Sequence, residues 1–168
     1  MRRILTIVLT TSCLVALAVI AIPALAAGIA PHPKKRGTYK GSSSQGISES
    51  VRTPSTKRVV AHLEVVVQCD GFYFSDVLDE KARLKKHRSF KTSWSDTGVD
   101  MPDDPTAGAG DLTGDFTGHE KGRFDRAKKH VFRRVKGTVQ EHVTMKDGSG
   151  AVIHECDTDR VTYKAKLR

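Results

Sequence analysis

The sequence predicts an all-β fold, an antiparallel β-sandwich or flattened barrel, and three observations carry that expectation. Arg58 to Cys69 places Val59, Ala61, Leu63, Val65, Val67 and Cys69 on every second residue, the period of a strand with one apolar face. Val60 and Val66 make the other face partly apolar, which suits a central strand better than an edge, and a run of β-branched valines disfavours a buried helix. Asp147-Gly148 sits between two alternating runs, a strong hairpin signal. Arg160 to Leu167 carries Val161, Tyr163, Ala165 and Leu167 on one face of a final strand.

The chain begins differently. Met1-Arg2-Arg3 is followed by an apolar run from Ile4 to Leu25, and no charge appears after Arg3 until Lys34. A basic start, an apolar segment and the small residues Ala24 and Ala26 describe a signal-peptide helix over residues 1–26, preceding the β-domain and removed after Ala26. The run is also long enough to span a bilayer, so an uncleaved anchor is the alternative, and only then is the membrane a partner. Thr10-Thr11-Ser12 ahead of Cys13 lacks the aliphatic residue of a lipoprotein site. Residues 27–36, with Pro31-His32-Pro33-Lys34-Lys35-Arg36, read as a flexible tether, and 37–168 as one β-sandwich domain.

Removing residues 1–26 lowers the formal net charge from +9 to +7, because Arg2 and Arg3 leave and no acid does. Two cysteines then remain, Cys69 and Cys156, an even number suited to one disulfide in an oxidising compartment. Zinc is a poor alternative, since two cysteines so far apart offer neither CxxC spacing nor clear third and fourth ligands.

Between these landmarks, Gly37-Thr38-Tyr39-Lys40-Gly41 and Ile47 to Arg52 read as short strands ahead of the central one, and Gly71 to Leu78 as its successor. Ala82 to Leu84 and Phe90 to Ser95 read as a further pair turning at Lys85-Lys86-His87-Arg88, although Asp79-Glu80-Lys81-Ala82 would also start a helix over Leu78 to Phe90. Thr97 to Gly110 is rich in Pro, Gly and small residues and reads as a surface loop. Leu112 to Phe116 resumes a strand, and Gly137 to Met145 should pair with Ala151 to Cys156.

The frame Gly37-Thr38-Tyr39-Lys40-Gly41, Gln45-Gly46-Ile47 with Val51, the valine run closing at Cys69-Asp70-Gly71, Gly137-Thr138-Val139, and Cys156-Asp157 with Val161, Tyr163 and Ala165 resembles a group of small secreted bacterial proteins without a settled function. The resemblance implies an antiparallel β-sandwich with one disulfide and supplies no catalytic residue. This chain departs from the pattern at Glu49, where an apolar residue is usual, and in the longer basic stretch before Gly137.

The search for chemistry returns few candidates. His119-Glu120 is not followed by a second helical histidine, so the HExxH zinc platform is missing. Gly41 to Gly46 is not the GxSxG elbow of a hydrolase. His142 and His154 should lie nearly opposite across the 137–156 hairpin, within reach of a metal or of each other. Asp100, Asp103, Asp104, Asp111 and Asp115 gather oxygens, but their spacing matches no calcium loop. No catalytic residue, cofactor or metal ligand is therefore expected.

Positive charge is the feature that stands out. Lys81 to Lys91 holds Lys81, Arg83, Lys85, Lys86, Arg88 and Lys91 without an acid. Lys121 to Lys136 holds Lys121, Arg123, Arg126, Lys128, Lys129, Arg133, Arg134 and Lys136 against Asp125 alone. Together the two segments contain 14 of the 28 basic residues, and side by side they would form a surface for an anionic polymer of the cell envelope, with Lys85, Lys86, Arg88, Arg126, Lys128, Lys129, Arg133 and Arg134 as its anion-binding residues. A solvated charged face without a partner is the plainer account. Phe124 and Phe132 could stack on bases or anchor a core, and no sequence-specific recognition of nucleic acid is expected. The expected function is thus a non-catalytic exported β-sandwich at the cell envelope, with a secreted hydrolase of envelope glycans as the alternative.

Overall fold

The computed structural model describes residues 30–86, 88–101 and 112–168, and every regular element among them is a strand. The signal-peptide helix expected over 1–26 and Asp103, Asp104 and Asp111 of the acidic loop lie outside the described residues. Nine strands follow in order: β1 (Gly37–Ser43), β2 (Ser48–Ser55), β3 (Arg58–Gln68), β4 (Tyr73–Arg83), β5 (Ser89–Asp100), β6 (Thr113–Lys128), β7 (Val131–Lys146), β8 (Val152–Asp157) and β9 (Val161–Leu167).

They form a single sheet of order β4-β3-β2-β1-β9-β7-β6-β5, with every strand-to-strand pairing antiparallel. Strand β8 lies off this path and stitches β3 to β7, because Asp157 is in register with both Gln68 and His142. The two terminal strands approach each other through side chains. Thr92 Oγ1 of β5 donates to Glu80 Oε2 of β4 at 3.2 Å, and Phe74 of β4 meets Phe116 of β6 edge-on with centroids 6.5 Å apart. The sheet thus turns one face inward, where Tyr39, Val51, Leu63, Val65, Phe124, Val139 and Tyr163 are almost completely buried.

The central strand is as the alternation requires, with Val59, Ala61, Leu63, Val65 and Val67 buried. Its successor differs from expectation. No helix forms over 78–90. Phe74, Asp76, Leu78, Glu80 and Ala82 instead share the inner face of an eleven-residue strand, paired with β3 from Arg58↔Arg83 to Gln68↔Tyr73. A long ladder beside a buried strand overrides the helix propensity of Asp79 to Ala82. The pair expected between 82–84 and 90–95 is also corrected. Only the bridge Lys85↔Ser89 joins those segments, while β5 pairs along its length with β6. Thr97 to Asp100, read as loop, continue β5.

The basic stretch before Gly137 resolves into the long β6–β7 hairpin, in register from Thr113↔Lys146 to Lys128↔Val131. Its two-residue turn, Lys129-His130, has φ of 50° and 61°. Two positive φ values are what a type I′ turn demands, and Asn-Gly is its usual solution because a Cβ in that region costs about 1–2 kcal/mol. Ahead of β1, within the 27–36 stretch, His32 pairs with Val131: its N–H donates to His130 O at 3.0 Å, and Phe132 N–H donates to its carbonyl at 3.0 Å.

Cys69 and Cys156 form a disulfide with Cα atoms 4.3 Å apart, tying the end of β3 to β8 across 87 positions. Two stability outcomes follow from these features. Opening this loop by reduction or by Cys156→Ser should remove on the order of 4 kcal/mol and lower the melting temperature by 10 °C or more, read by calorimetry with and without reductant. Replacing Lys129-His130 with Asn-Gly should raise stability by roughly 1 kcal/mol in denaturant titration.

Candidate functional site

The two basic segments meet at one end of the sheet. Phe124 N–H donates to Arg88 O at 2.7 Å and Arg88 Nε donates back to Phe124 O at 3.3 Å, so the β4–β5 turn bearing Lys85 and Lys86 lies against the strand that continues into Arg126. Lys128 and Lys129 extend that end at the β6–β7 turn, and all of these side chains are exposed. Arg134 behaves differently. Its Nε and Nη2 grip both oxygens of Asp125 at 2.6 Å, which raises the Arg134 pKa and holds Asp125 below the usual carboxylate range. Exposed Arg133 sits near enough to favour ionisation of the Tyr39 hydroxyl, though burial dominates and raises that group.

Register adds basic residues that lie outside the two segments. Arg123 of β6 is opposite Lys136 of β7, and Lys136 is opposite Lys164 of β9. One row away, Lys91 faces Lys121; in the other direction, Lys166 faces both Arg134 and Lys40. Lys40, Lys91, Lys121, Arg123, Lys136, Lys164 and Lys166 are all exposed and share the outer face. Among the described residues, none of these seven is in an ion pair. Like charges directly opposite on neighbouring strands repel, so this band is maintained against a cost.

The remaining candidates are placed less favourably for chemistry. His142 is in register with Asp157, and His154 with Met145, so the two histidines are three positions out of register and lie on opposite faces of the sheet. His142 Nδ1 instead contacts Asp157 Oδ1 at 3.1 Å, and His154 packs edge-on against Phe72. Phe124 and Phe132 are buried and pack together and on Tyr39, which makes them core anchors rather than stacking platforms. Asp115 holds Lys146 Nζ at 2.5 Å.

The interior carries the charge that sequence reasoning missed. Glu49 of β2, Glu120 of β6 and Glu141 of β7 are all within 3% of complete burial, and Asp76 and Glu80 of β4 share their face. Burial is the main cause that pushes each of the three upward from the ordinary 4.5: Glu49 and Glu120 to about 7, and Glu141 to about 8 with added repulsion from Asp76. Each acid has a local partner. Glu64 N–H donates to Glu49 at 3.2 Å, the Tyr163 hydroxyl donates to Glu120, and Trp94 Nε1 donates to Glu141 Oε1 at 2.9 Å. The second oxygens of Glu120 and Glu141 are buried without a donor.

Two glycines position these donors. Trp94 is directly opposite Gly118, and its ring lies 2.3 Å from where a Cβ would stand. Tyr163 lies over Gly137 in the same relation, again at 2.3 Å. An aromatic ring resting on a bare glycine backbone fills the missing side chain's volume, and it points the indole N–H and the phenol at the two glutamates. The signals available in sequence were the in-face glutamates and the glycines alternating along β6, but without register neither could be assigned an inner face.

No group of three or more His, Cys, Asp or Glu side chains among the described residues is placed to hold a metal ion. No protein-family model, curated protein or solved structure matches the chain.

The raised carboxyls fix the direction of the pH response. Their stabilising effect is fully present below about pH 4.5, where folded and unfolded chains are both protonated, and is lost as pH rises through 7 to 8. Melting temperature should therefore fall by several degrees between pH 5.5 and 8.5, and Glu120→Gln should flatten that fall, measured by scanning calorimetry. Gly118→Ala should displace Trp94, lower stability by about 1–3 kcal/mol and red-shift the tryptophan emission.

Proposed function

We propose that the chain is an exported, non-catalytic β-protein that binds anionic polymers of the cell envelope through the outer face of β5, β6, β7, β9 and β1. The observation that carries this reading is the row Arg123, Lys136 and Lys164, three cations in register on adjacent strands with no acid between them. Strands lie about 4.8 Å apart, so the row presents charge at a spacing a polyanion can bridge, and an anion laid across it removes the repulsion that the bare sheet must carry. The turn cations Lys85, Lys86, Arg88, Arg126, Lys128 and Lys129 prolong the same positive end, while Arg134 serves mainly to anchor Asp125. Export is supported by the Cys69–Cys156 disulfide, whose chemistry belongs to an oxidising compartment, and by the sequence of residues 1–26.

Carboxylates facing the cavity between β4 and β5 favour a glycan hydrolase, as do Glu141, Asp157 and Asp159 around a second cavity of about 430 Å³ with His119 and His142. The β4–β5 cavity is about 200 Å³, below the roughly 300–1,000 Å³ of sites that enclose drug-sized ligands, and in the second one His142 is engaged by Asp157 at 3.1 Å. Binding at the exposed face is the reading adopted.

Affinity for a polyphosphate of defined length should fall log-linearly with salt, by on the order of a hundredfold between 50 and 200 mM if some four counterions are released. Replacing Arg123, Lys136 and Lys164 together with Ser should flatten that slope while the melting temperature stays within a few degrees, since exposed charges contribute little to stability. Binding that ignores salt, or an unchanged slope in the triple variant, would overturn the proposal.

A further inference from the structure

A second site lies on the opposite kind of surface. Between β4 and β5, where the sheet's terminal strands meet without a ladder, a cavity of about 200 Å³ is lined by Asp76, Glu80, Trp94, Asp96, Phe116 and Glu141 among others, and no Lys or Arg lines it. Glu141 is 3% exposed and reaches this cavity with one oxygen satisfied by Trp94 Nε1 and the other, Oε2, without any donor. The neighbour beside it is Asp76, a second acceptor, which repels the ionised form of Glu141. Asp76 is half-buried and accepts from Val77 N–H at 2.8 Å, so it is the buried Glu141 Oε2 that requires either a proton or a cation with hydrogen-bond donors. Val77 and Val99, 53% and 40% exposed, give the rim an apolar part beside the exposed acids Asp79 and Asp96.

We propose that this cavity binds a primary alkylammonium group, whose N–H donors satisfy Glu141 Oε2 and Asp76 while its carbon chain lies on Val77 and Val99. The faces of Trp94 and Phe116 favour a cation electrostatically, and Glu80 and Asp96 add to the negative field from β4 and β5. Behind the cavity, Glu120 of β6 is engaged by Tyr163 of β9 and borders Glu80; at its wall Asp79 is already met by His62 Nδ1 at 2.9 Å, and among the described residues no Lys or Arg lines the cavity. A divalent metal is a poorer occupant, because among the described residues no three ligating groups converge. A proton shared by Asp76 and Glu141 is the natural competitor, which makes binding tighter as pH rises while the amine stays charged.

Trp94 is the chain's one tryptophan, so its emission reads the cavity directly. The full chain titrated with 1,5-diaminopentane should show a saturable change in that emission and a rise in melting temperature, with affinity increasing from pH 6 to pH 9. Asp76→Asn and Glu141→Gln should each weaken it at least tenfold. 1-Pentanol, which lacks the charge, and tetramethylammonium, which lacks N–H donors, should bind at least tenfold more weakly. Equal response to either control, unchanged affinity in both variants, or no saturable binding would overturn the proposal.

Discussion

Aromatic rings laid over glycines on the neighbouring strand are the contacts on which the interior depends. Trp94 covers Gly118 and Tyr163 covers Gly137, and in both pairs a Cβ on the glycine would fall inside the ring's van der Waals envelope. The consequence is geometric before it is energetic. A ring that lies down against the sheet extends sideways rather than upward, so its polar edge reaches along the interior wall to a carboxyl on a third element. The indole of β5 thereby finds Glu141 on β7, and the phenol of β9 finds Glu120 on β6. Packing and polar satisfaction are the same event here, which is why glycine is required where a valine would ordinarily strengthen a strand.

Charge is sorted by the pleat. Along β6, Lys121 and Arg123 face outward while Glu120 faces inward, and the sheet's own thickness keeps the two signs from pairing. The chain carries a formal charge of +9, yet its interior is lined by acids whose neutral form burial favours. Among the described residues Lys and Arg pair with acids at Asp125–Arg134 and Asp115–Lys146, and the outer rows are in no ion pair, with Asp125 near Lys136 as a partial offset. A protein optimised only for stability would interleave acids among those rows.

How much of this is legible in the sequence follows the range of the interaction that decides it. Strand β3, the 137–156 hairpin, β9 and the disulfide are local or compositional: alternation, a turn dipeptide and an even cysteine count suffice. The identity of the sheet's neighbours is not local. Asp79 to Ala82 favour a helix until β3 supplies a ladder, and β4 and β5 look like a hairpin until β6 takes β5 as its partner. The binding face shows the same division. Lys128 and Lys129 stand out as a run, whereas Lys40, Lys164 and Lys166 are isolated in sequence and join the band only through the register of β1 with β9 and of β9 with β7. Glu49 was visible as a departure from an apolar pattern, and its meaning emerges only when Glu120 and Glu141 are seen to share its face.

The seam between β1 and β9 also dictates an order of assembly. Strands β1 to β4 form a meander whose pairings close over short loops, and β5 to β7 form another, but the two halves are joined along the sheet by β9, which pairs Ser42 with Lys164 on one side and Lys136 with Lys164 on the other. Until β9 is in place, β1 and β7 each present an unpaired backbone edge, and edges of that kind recruit other strands. The high sequence separation of the β1–β9 contact makes it a slow step, late in folding and rich in lost chain entropy. In a chain of this topology the two meanders can form locally, while the continuous sheet waits for the strand that comes last in sequence.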